Sequence, residues 1–319
     1  MSDSDQTRAV TVRAGASRQL VIEQAKLAPA LPHELTVRVT AISLNRGEVK
    51  RALTIANDGW RPGWDFAGIV EESPKLGGGP PPGSRVVGVR EQGAWAERIR
   101  VSPQAVAVLP DAVTDAQAAT LPVAGLTALY ALRKGGLLLG RKVLVDGASG
   151  GVGHLAVQLA RASGALVYGH VRQDASRAVI AESCNGGVIV GPTLESARPS
   201  GPYHLILDSV GGATLASALT MLERTGACVT FGVSEAPSVT FESGAFFRAG
   251  GVSLHGLILF DEIVRVEPAT LGLSILADLV ARKVLTPRIE IEAPWTQISE
   301  IAQQLIDRKY PGKAVLHVA

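Results

Sequence analysis

Val143-Leu144-Val145-Asp146-Gly147-Ala148-Ser149-Gly150-Gly151-Val152-Gly153-His154 begins the stretch, running on to Val171-Arg172, whose reading decides the fold. An apolar run too short for a helix stops at a glycine cluster. A helical period then takes over, with Val152, Leu155, Ala156, Leu159 and Ala160 on one face. After Gly164 a second apolar run covers Ala165 to Tyr168. The order is strand, tight turn, helix, strand: a βαβ unit with its turn at the helix N-terminus.

Such a turn suits a dinucleotide. Gly150 and Gly151 are expected to supply backbone angles that a Cβ forbids, and Gly153 to let the helix pack closely on the strand. The free N–H groups around Ser149, Gly150, Gly151 and Val152 lie at the positive end of the helix dipole, where a pyrophosphate binds. The pattern is Ala148-x-Gly150-x-x-Gly153, with alanine in place of the first glycine of G-x-G-x-x-G. An NAD site places Asp or Glu after the second strand, bonded to the ribose. Here the residues are Tyr168-Gly169-His170-Val171-Arg172, and no carboxylate follows before Asp174. A carboxylate repels a 2′-phosphate, whereas a guanidinium pairs with it in fork geometry. These residues point to NADP(H), with Arg172 as clamp and Tyr168 or His170 nearby. The bland alternative for Arg172 is a solvated surface charge.

A chain of 319 residues suits two domains, and 46% hydrophobic with 19% charged residues fits a globular enzyme and excludes disorder. The net charge is +2 with dispersed Lys and Arg, so there is no nucleic-acid footprint. No apolar stretch approaches a membrane span. Met1 to Thr7 is polar, which predicts a frayed tail and no signal peptide. Cys184 and Cys228 are far apart in apolar segments and read as buried structural thiols, consistent with a reducing cytoplasm.

Up to about Asp115 the chain reads as β-rich, with short apolar runs such as Leu35 to Val39, Gly68 to Val70, Arg85 to Val89 and Ala105 to Leu109. Gly93 to Glu97 opens another strand. Asp115 to Leu121 and the run from Pro122 to Tyr130 read as helices. Strands follow at Lys142–Asp146, Ala165–Tyr168, Gly187–Val190, Leu205–Asp208, Ala227–Phe231 and Val252–His255, with mostly helical connections: a doubly wound parallel sheet. After Pro268, Leu271, Ile275 and Leu279 mark one amphipathic helix; Ile298, Ala302 and Leu305 mark another, before a last strand at Ala314–Val318. The expected class is α/β, with residues 117–264 as a nucleotide-binding domain inserted between 1–116 and 265–319.

Several segments, in order, resemble the medium-chain dehydrogenase/reductase superfamily in its zinc-independent quinone oxidoreductase and enoyl reductase branch. Ile42 to Val49 resembles its G-x-N-x-x-D segment, and Pro62 to Val70 its P-G-x-D-x-A-G-x-V segment. Leu121 to Ala128 resembles L-P-x-x-x-x-T-A. Gly147 to Gly153 is similar to its cofactor turn, Leu207 to Gly212 to a sheet-edge motif, and Gly312 to Val315 to G-K-x-V. The resemblance covers nearly the whole chain and implies a GroES-like β-rich catalytic domain carrying an inserted Rossmann domain. Zinc-containing members carry Gly-His-Glu where this chain has Gly63-Trp64-Asp65, and no cysteine precedes it. Thiolate and imidazole ligands are thus missing, no metal is expected, and Asp65 reads as a hydrogen-bonding carboxylate.

Without a metal, the implied chemistry is hydride transfer from NADPH to a substrate already activated by conjugation: a quinone, an enone or an enoyl thioester. The resemblance places Asn45 near nicotinamide and substrate, as an orienting amide or merely as a turn asparagine. Some relatives carry a tyrosine a few residues later; here Glu48-Val49-Lys50-Arg51 stands there, leaving Lys50 as the only nearby donor if it points inward. Thr127 is implied beside the cofactor. Phe231-Gly232-Val233 follows the fifth strand at the edge where ligands bind, and Lys313 approaches from the returning domain or lies on the surface. The last parallel strand is expected to pair with its copy in a homodimer. The alternative is a non-catalytic NADPH-binding redox sensor or structural partner.

Overall fold

The computed structural model describes residues 6–15 and 18–318. Most of the expected N-terminal tail lies outside them, but Gln6 and Thr7 already belong to the first strand rather than to a frayed end. The chain divides into two compact units, Met1–Leu126 with Val266–Ala319, and Thr127–Arg265. Residues 117–126 therefore sit with the first unit.

In the first unit, β1 (Gln6–Ala14) and β2 (Arg18–Lys26) form an antiparallel hairpin that was not among the anticipated runs. β3 (Leu35–Ser43) leads into α1 (Arg46–Thr54), followed by β4 (Asp65–Glu72), β5 (Arg85–Val89), β6 (Arg98–Val101) and β7 (Val106–Val108). Two helices follow, α2 (Asp115–Ala119) and α3 (Pro122–Arg133).

The second unit contains β8 (Lys142–Asp146), α4 (Gly153–Ala162), β9 (Leu166–Val171), α5 (Arg177–Ile180), β10 (Gly187–Val190), β11 (Tyr203–Asp208) and α6 (Gly212–Leu219). It continues through β12 (Leu222–Thr230), α7 (Ser243–Ala249), β13 (Ser253–Gly256) and α8 (Leu259–Arg265). The chain then returns to the first unit with α9 (Ala269–Ala281), β14 (Ile289–Pro294), α10 (Ile298–Ile306) and β15 (Lys313–His317).

The first unit's main sheet runs β14-β15-β3-β4-β5-β7, with β6 also on β3. Its register places functional candidates side by side: Ser43 faces Asp65 on β4 and Val315 on β15. Phe66, Trp95, Ile99 and Trp295 are fully buried in the core beneath. α9 exists as expected, but the stripe that marked it is its outer face. Leu271 is 53% and Ile275 41% exposed, while Leu273, Leu276, Ala277 and Val280 are buried. The helix is apolar nearly all round, so spacing alone could not say which side faces the core.

The second unit is an all-parallel sheet of order β10-β9-β8-β11-β12-β13. Within this unit that is strand order 3-2-1-4-5-6, the doubly wound arrangement, and its order reverses between β8 and β11. β8 is near-continuously buried, as a strand covered on both faces must be. α4 buries Leu155, Ala156, Leu159 and Ala160. Each of the two leucines contributes roughly 1.5–3 kcal/mol by leaving water. Among the described residues no helix is long and apolar enough to cross a membrane.

Candidate functional site

The glycine turn leaves β8 at the point where the strand order reverses. The left-handed backbone belongs to Gly147 (φ 65°), not to Gly150 or Gly151 as expected. The working pattern is therefore Gly147-x-x-Gly150-x-x-Gly153. Gly150 N–H donates to the Gly147 carbonyl at 2.9 Å, and Ala148 N–H donates to the His170 carbonyl at 3.1 Å. A Cβ on Gly153 would stand 2.2 Å from the Gly147 oxygen and 2.8 Å from Ala148 Cα, so the helix can start this close to the strand only without one. Ser149, Gly150, Gly151 and Val152 are half-buried in the turn that feeds α4.

β9 runs to Val171, so Arg172 follows the strand directly. The three candidates there have different fates. Tyr168 stacks edge-to-face on Tyr203 with ring centroids 5.6 Å apart. His170 is buried; Nδ1 lies 2.6 Å from Asp146 Oδ1 and Nε2 3.1 Å from the Gly191 carbonyl. Both ring nitrogens are thus committed to acceptors inside the sheet, and the ligand-side role expected of His170 gives way to bracing the turn. Arg172 is exposed and makes no ion pair among the described residues. Asp174, the first carboxylate beyond it, is engaged by Arg177 at 2.9 Å.

At the neighbouring strand end, buried Asp208 accepts from Val210 N–H (3.1 Å), Gly211 N–H (3.2 Å) and the Thr230 hydroxyl (3.0 Å). Burial pushes its pKa up, against the pull of those hydrogen bonds. Phe231 N–H donates to the Asp208 carbonyl at 3.0 Å, and a Cβ on Gly232 would meet the Ser209 oxygen at 2.9 Å. Val233, which follows, is 55% exposed. Thr127 is buried at 5% exposure. Cys184 and Cys228 are free and buried; burial raises the Cys184 thiol to about 12 and raises that of Cys228 as well.

In the first unit a polar cluster is built where β3, α1, β4 and β15 meet. Lys313 is 2% exposed, and its Nζ donates to Leu44 O (3.0 Å), Asn45 Oδ1 (2.6 Å) and Asp65 Oδ2 (3.2 Å). Its three protons are therefore engaged inside the first unit, and it is not a surface lysine. Asn45 Nδ2 donates to Asp65 Oδ2 (2.7 Å) and Glu48 Oε1 (3.0 Å). With both amide hydrogens committed, Asn45 keeps only acceptor capacity at Oδ1. Lys50 is exposed on α1, so it does not point inward as a buried donor must.

Sequence reasoning overlooked Glu48. It is fully buried, its Oε1 accepts the Asn45 backbone N–H at 2.9 Å, and its Oε2 has no partner. Desolvation and then the Asp65 charge push its pKa well above the usual carboxylate range. Its signal was present: Asn45-x-x-Glu48 has the spacing of a helix N-cap and its reciprocal acid. Asp65 also accepts from Ser43 Oγ (2.6 Å) and Val123 N–H (2.9 Å). An ammonium, an amide, a hydroxyl and a backbone N–H around this carboxylate do not fit a catalytic zinc, which takes thiolate and imidazole. Among the described residues no group of three or more His, Cys, Asp or Glu is placed to hold a metal.

A doubly wound unit with a glycine turn at its switch point, carried in the chain between two parts of a β-rich unit, makes a two-unit α/β architecture. Residues 151–270 match the family model of the zinc-binding dehydrogenases. The quinone oxidoreductase of Coxiella burnetii superposes with TM-score 0.82 at 23% identity, covering 98% of this chain and 100% of that one. CurK enoyl reductase gives TM-score 0.82 at 21% identity, covering 99% and 100%. In sequence, a mycocerosic acid synthase-like polyketide synthase of Mycobacterium tuberculosis is 34% identical over 220 residues, which is 64% of this chain and 10% of the synthase. The mitochondrial NAD(P)H oxidoreductase RTN4IP1 of Bos taurus is 38% identical over 141 residues, 42% of this chain and 36% of the relative. The chain thus spans only a fraction of the curated relatives it matches. These matches liken residues 151–270 to the zinc-binding dehydrogenase family and give the whole chain the fold of the solved quinone oxidoreductase and enoyl reductase.

Proposed function

We propose that this protein is an NADPH-dependent reductase of quinones or activated carbon–carbon double bonds, enoyl thioesters included. The observation that carries the cofactor choice is Arg172: exposed, without an ion-pair partner among the described residues, and placed where an NAD site would hold an acid. The turn from Ser149 to Val152 would hold the pyrophosphate through backbone N–H groups, with Thr127 and the segment Phe231-Gly232-Val233 as further contacts. When bound, the cofactor supplies a hydride to the β-carbon of an enone or to a quinone. Relatives named as quinone oxidoreductases, enoyl reductases and polyketide synthases support this substrate class.

Asn45 acts on this proposal as an acceptor toward the cofactor or substrate, because its donors are spent. The negative charge that develops on the substrate oxygen needs a donor from elsewhere, and Lys50, exposed on α1, does not point inward to supply it. The same commitment of Asn45, with no tyrosine after it, favours one second reading: an NADPH-binding sensor without turnover. β13 is an edge strand with Leu254 46% exposed, which supports pairing in a homodimer. Two free cysteines support a reducing compartment such as the cytoplasm.

Loss of NADPH absorbance with purified protein and a panel of quinones, enones and enoyl thioesters tests the proposal. Turnover of at least one class, faster with NADPH than NADH, is expected. Tight NADPH binding with no turnover across the panel moves the assignment to the sensor.

A further inference from the structure

A polar cavity lies wholly within the first unit, lined by none of the residues of the Asn45 cluster. Its volume is about 280 Å³, and its wall carries Arg61, Arg90, Arg98 and Arg100 against a single carboxylate, Glu34. Arg98 is accounted for, since it pairs with Glu71 at 2.7 Å. The other three form no ion pair among the described residues. Arg61 donates only to a backbone carbonyl, that of Lys26, at 3.1 Å. Arg100 likewise reaches the Ala28 carbonyl, while its Nε is buried without a hydrogen-bond partner.

Arg90 is the most telling of them. It is half-buried, and its one side-chain hydrogen bond is a long contact to the Gly93 carbonyl at 3.5 Å. Desolvation lowers its pKa most, Arg61 adds to that, and Glu34 opposes it from a distance at which no salt bridge forms. A guanidinium kept out of water without a carboxylate, as that of Arg90 is, is costly. The cost is recovered when an anion with several oxygens accepts from more than one fork. Trp60, whose indole N–H donates to Gln92 Oε1 at 3.1 Å, forms a flat wall on the same cavity.

We propose that this cavity is an anion site that takes a phosphate group through Arg90, Arg61 and Arg100, separate from the nicotinamide cofactor's own phosphates. Two sources share that chemistry: free inorganic phosphate, and a phosphate borne on a substrate carrier such as phosphopantetheine. The proposal does not depend on the reductase assignment, because it rests on the first unit alone.

Thermal unfolding at constant ionic strength tests it, with inorganic phosphate, pantetheine 4′-phosphate, unphosphorylated pantetheine and chloride as probes. The wild-type melting temperature should rise with one or both phosphate probes and stay flat with pantetheine and chloride. Arg90→Met should melt no lower than wild type without phosphate, because it removes an uncompensated cation, and should weaken the phosphate response at least tenfold in concentration. Arg172→Ala should leave that response intact, which separates this cavity from the cofactor's 2′-phosphate site. A response to inorganic phosphate alone assigns the site to the free ion, and a response to pantetheine 4′-phosphate assigns it to a carrier. No phosphate response, or one that survives Arg90→Met and disappears in Arg172→Ala, overturns the proposal.

Discussion

Three glycines in one turn should respond to alanine in a fixed order. At Gly153 the added Cβ would stand 2.2 Å from Gly147 O and 2.8 Å from Ala148 Cα, both backbone atoms that cannot rotate away. Relief requires moving the turn or the start of α4, and overpacking of this kind costs about 1–3 kcal/mol or more. A loss of 3 kcal/mol lowers the melting temperature by roughly 4–5 °C in a chain of 319 residues. At Gly147 the cost is conformational: φ is 65°, and an L-residue there costs about 1–2 kcal/mol. At Gly150 the only close atom is Gly147 O at 3.2 Å, and the reduced freedom of the unfolded chain returns about 0.4–1 kcal/mol. Differential scanning calorimetry with dinucleotide titration by fluorescence should rank the damage Gly153 above Gly147 above Gly150. Because Gly153→Ala displaces the turn itself, NADPH and NADH affinity should fall together. Equal melting temperatures for Gly153→Ala and Gly150→Ala would refute the packing argument.

Arg172→Ala should weaken NADPH by about 10- to 150-fold, the equivalent of one charge-assisted contact at about 1.5–3 kcal/mol, and leave NADH within a factor of about two. Parallel fluorescence titrations check this, and equal losses for both cofactors would remove the clamp. Glu48 has a raised folded pKa, so above its ordinary value of 4.5 the folded state holds a proton that the unfolded chain releases. Stability should therefore fall as pH rises from that value through the folded pKa, with Asp208 adding the same sign. Urea unfolding at about pH 5 and about pH 8 should show a smaller difference for Glu48→Gln than for wild type; an unchanged difference counts against the buried acid.

The nucleotide-binding unit was the more legible half because its strands are apolar runs, its connections helical, and its turn glycine-rich. The switch point follows from that order alone. The finer assignments needed coordinates. Nothing local distinguishes Gly147 from Gly150 as the left-handed residue, since that depends on how β8 delivers the chain into the turn. His170 looked accessible after a strand, yet its orientation depends on Asp146, whose position is set by strand pairing 24 residues away. Lys313 and Asn45 are 268 residues apart and meet only because β15 pairs with β3. The outward stripe on α9 shows a different limit: when a helix is apolar all round, periodicity names the helix but not its buried side.

The charge balance of the Asn45 cluster constrains what it can do. Lys313 supplies one positive charge, whereas Asp65 and Glu48 could supply two negative ones, in a space with almost no water access. Burial and the Asp65 charge oppose the excess by favouring the protonated form of Glu48. Oε1 of Glu48 accepts two hydrogen bonds from Asn45, so the proton belongs on Oε2, the oxygen left without a partner. With that proton in place the cluster is neutral, with Lys313 and Asp65 as its ion pair and Asn45 held between them. Such an arrangement fixes the Asn45 amide in one orientation, with its oxygen polarised by the ammonium and its nitrogen turned inward. It can receive a hydroxyl or a carboxamide N–H, but it has nothing to give to a developing oxyanion. Replacing Asn45 by Asp would put a second carboxylate beside Lys313 and remove the side-chain donor to Asp65 and Glu48. Dinucleotide affinity and protein stability should then fall together, whereas Asn45→Ser should affect them less because it adds no charge.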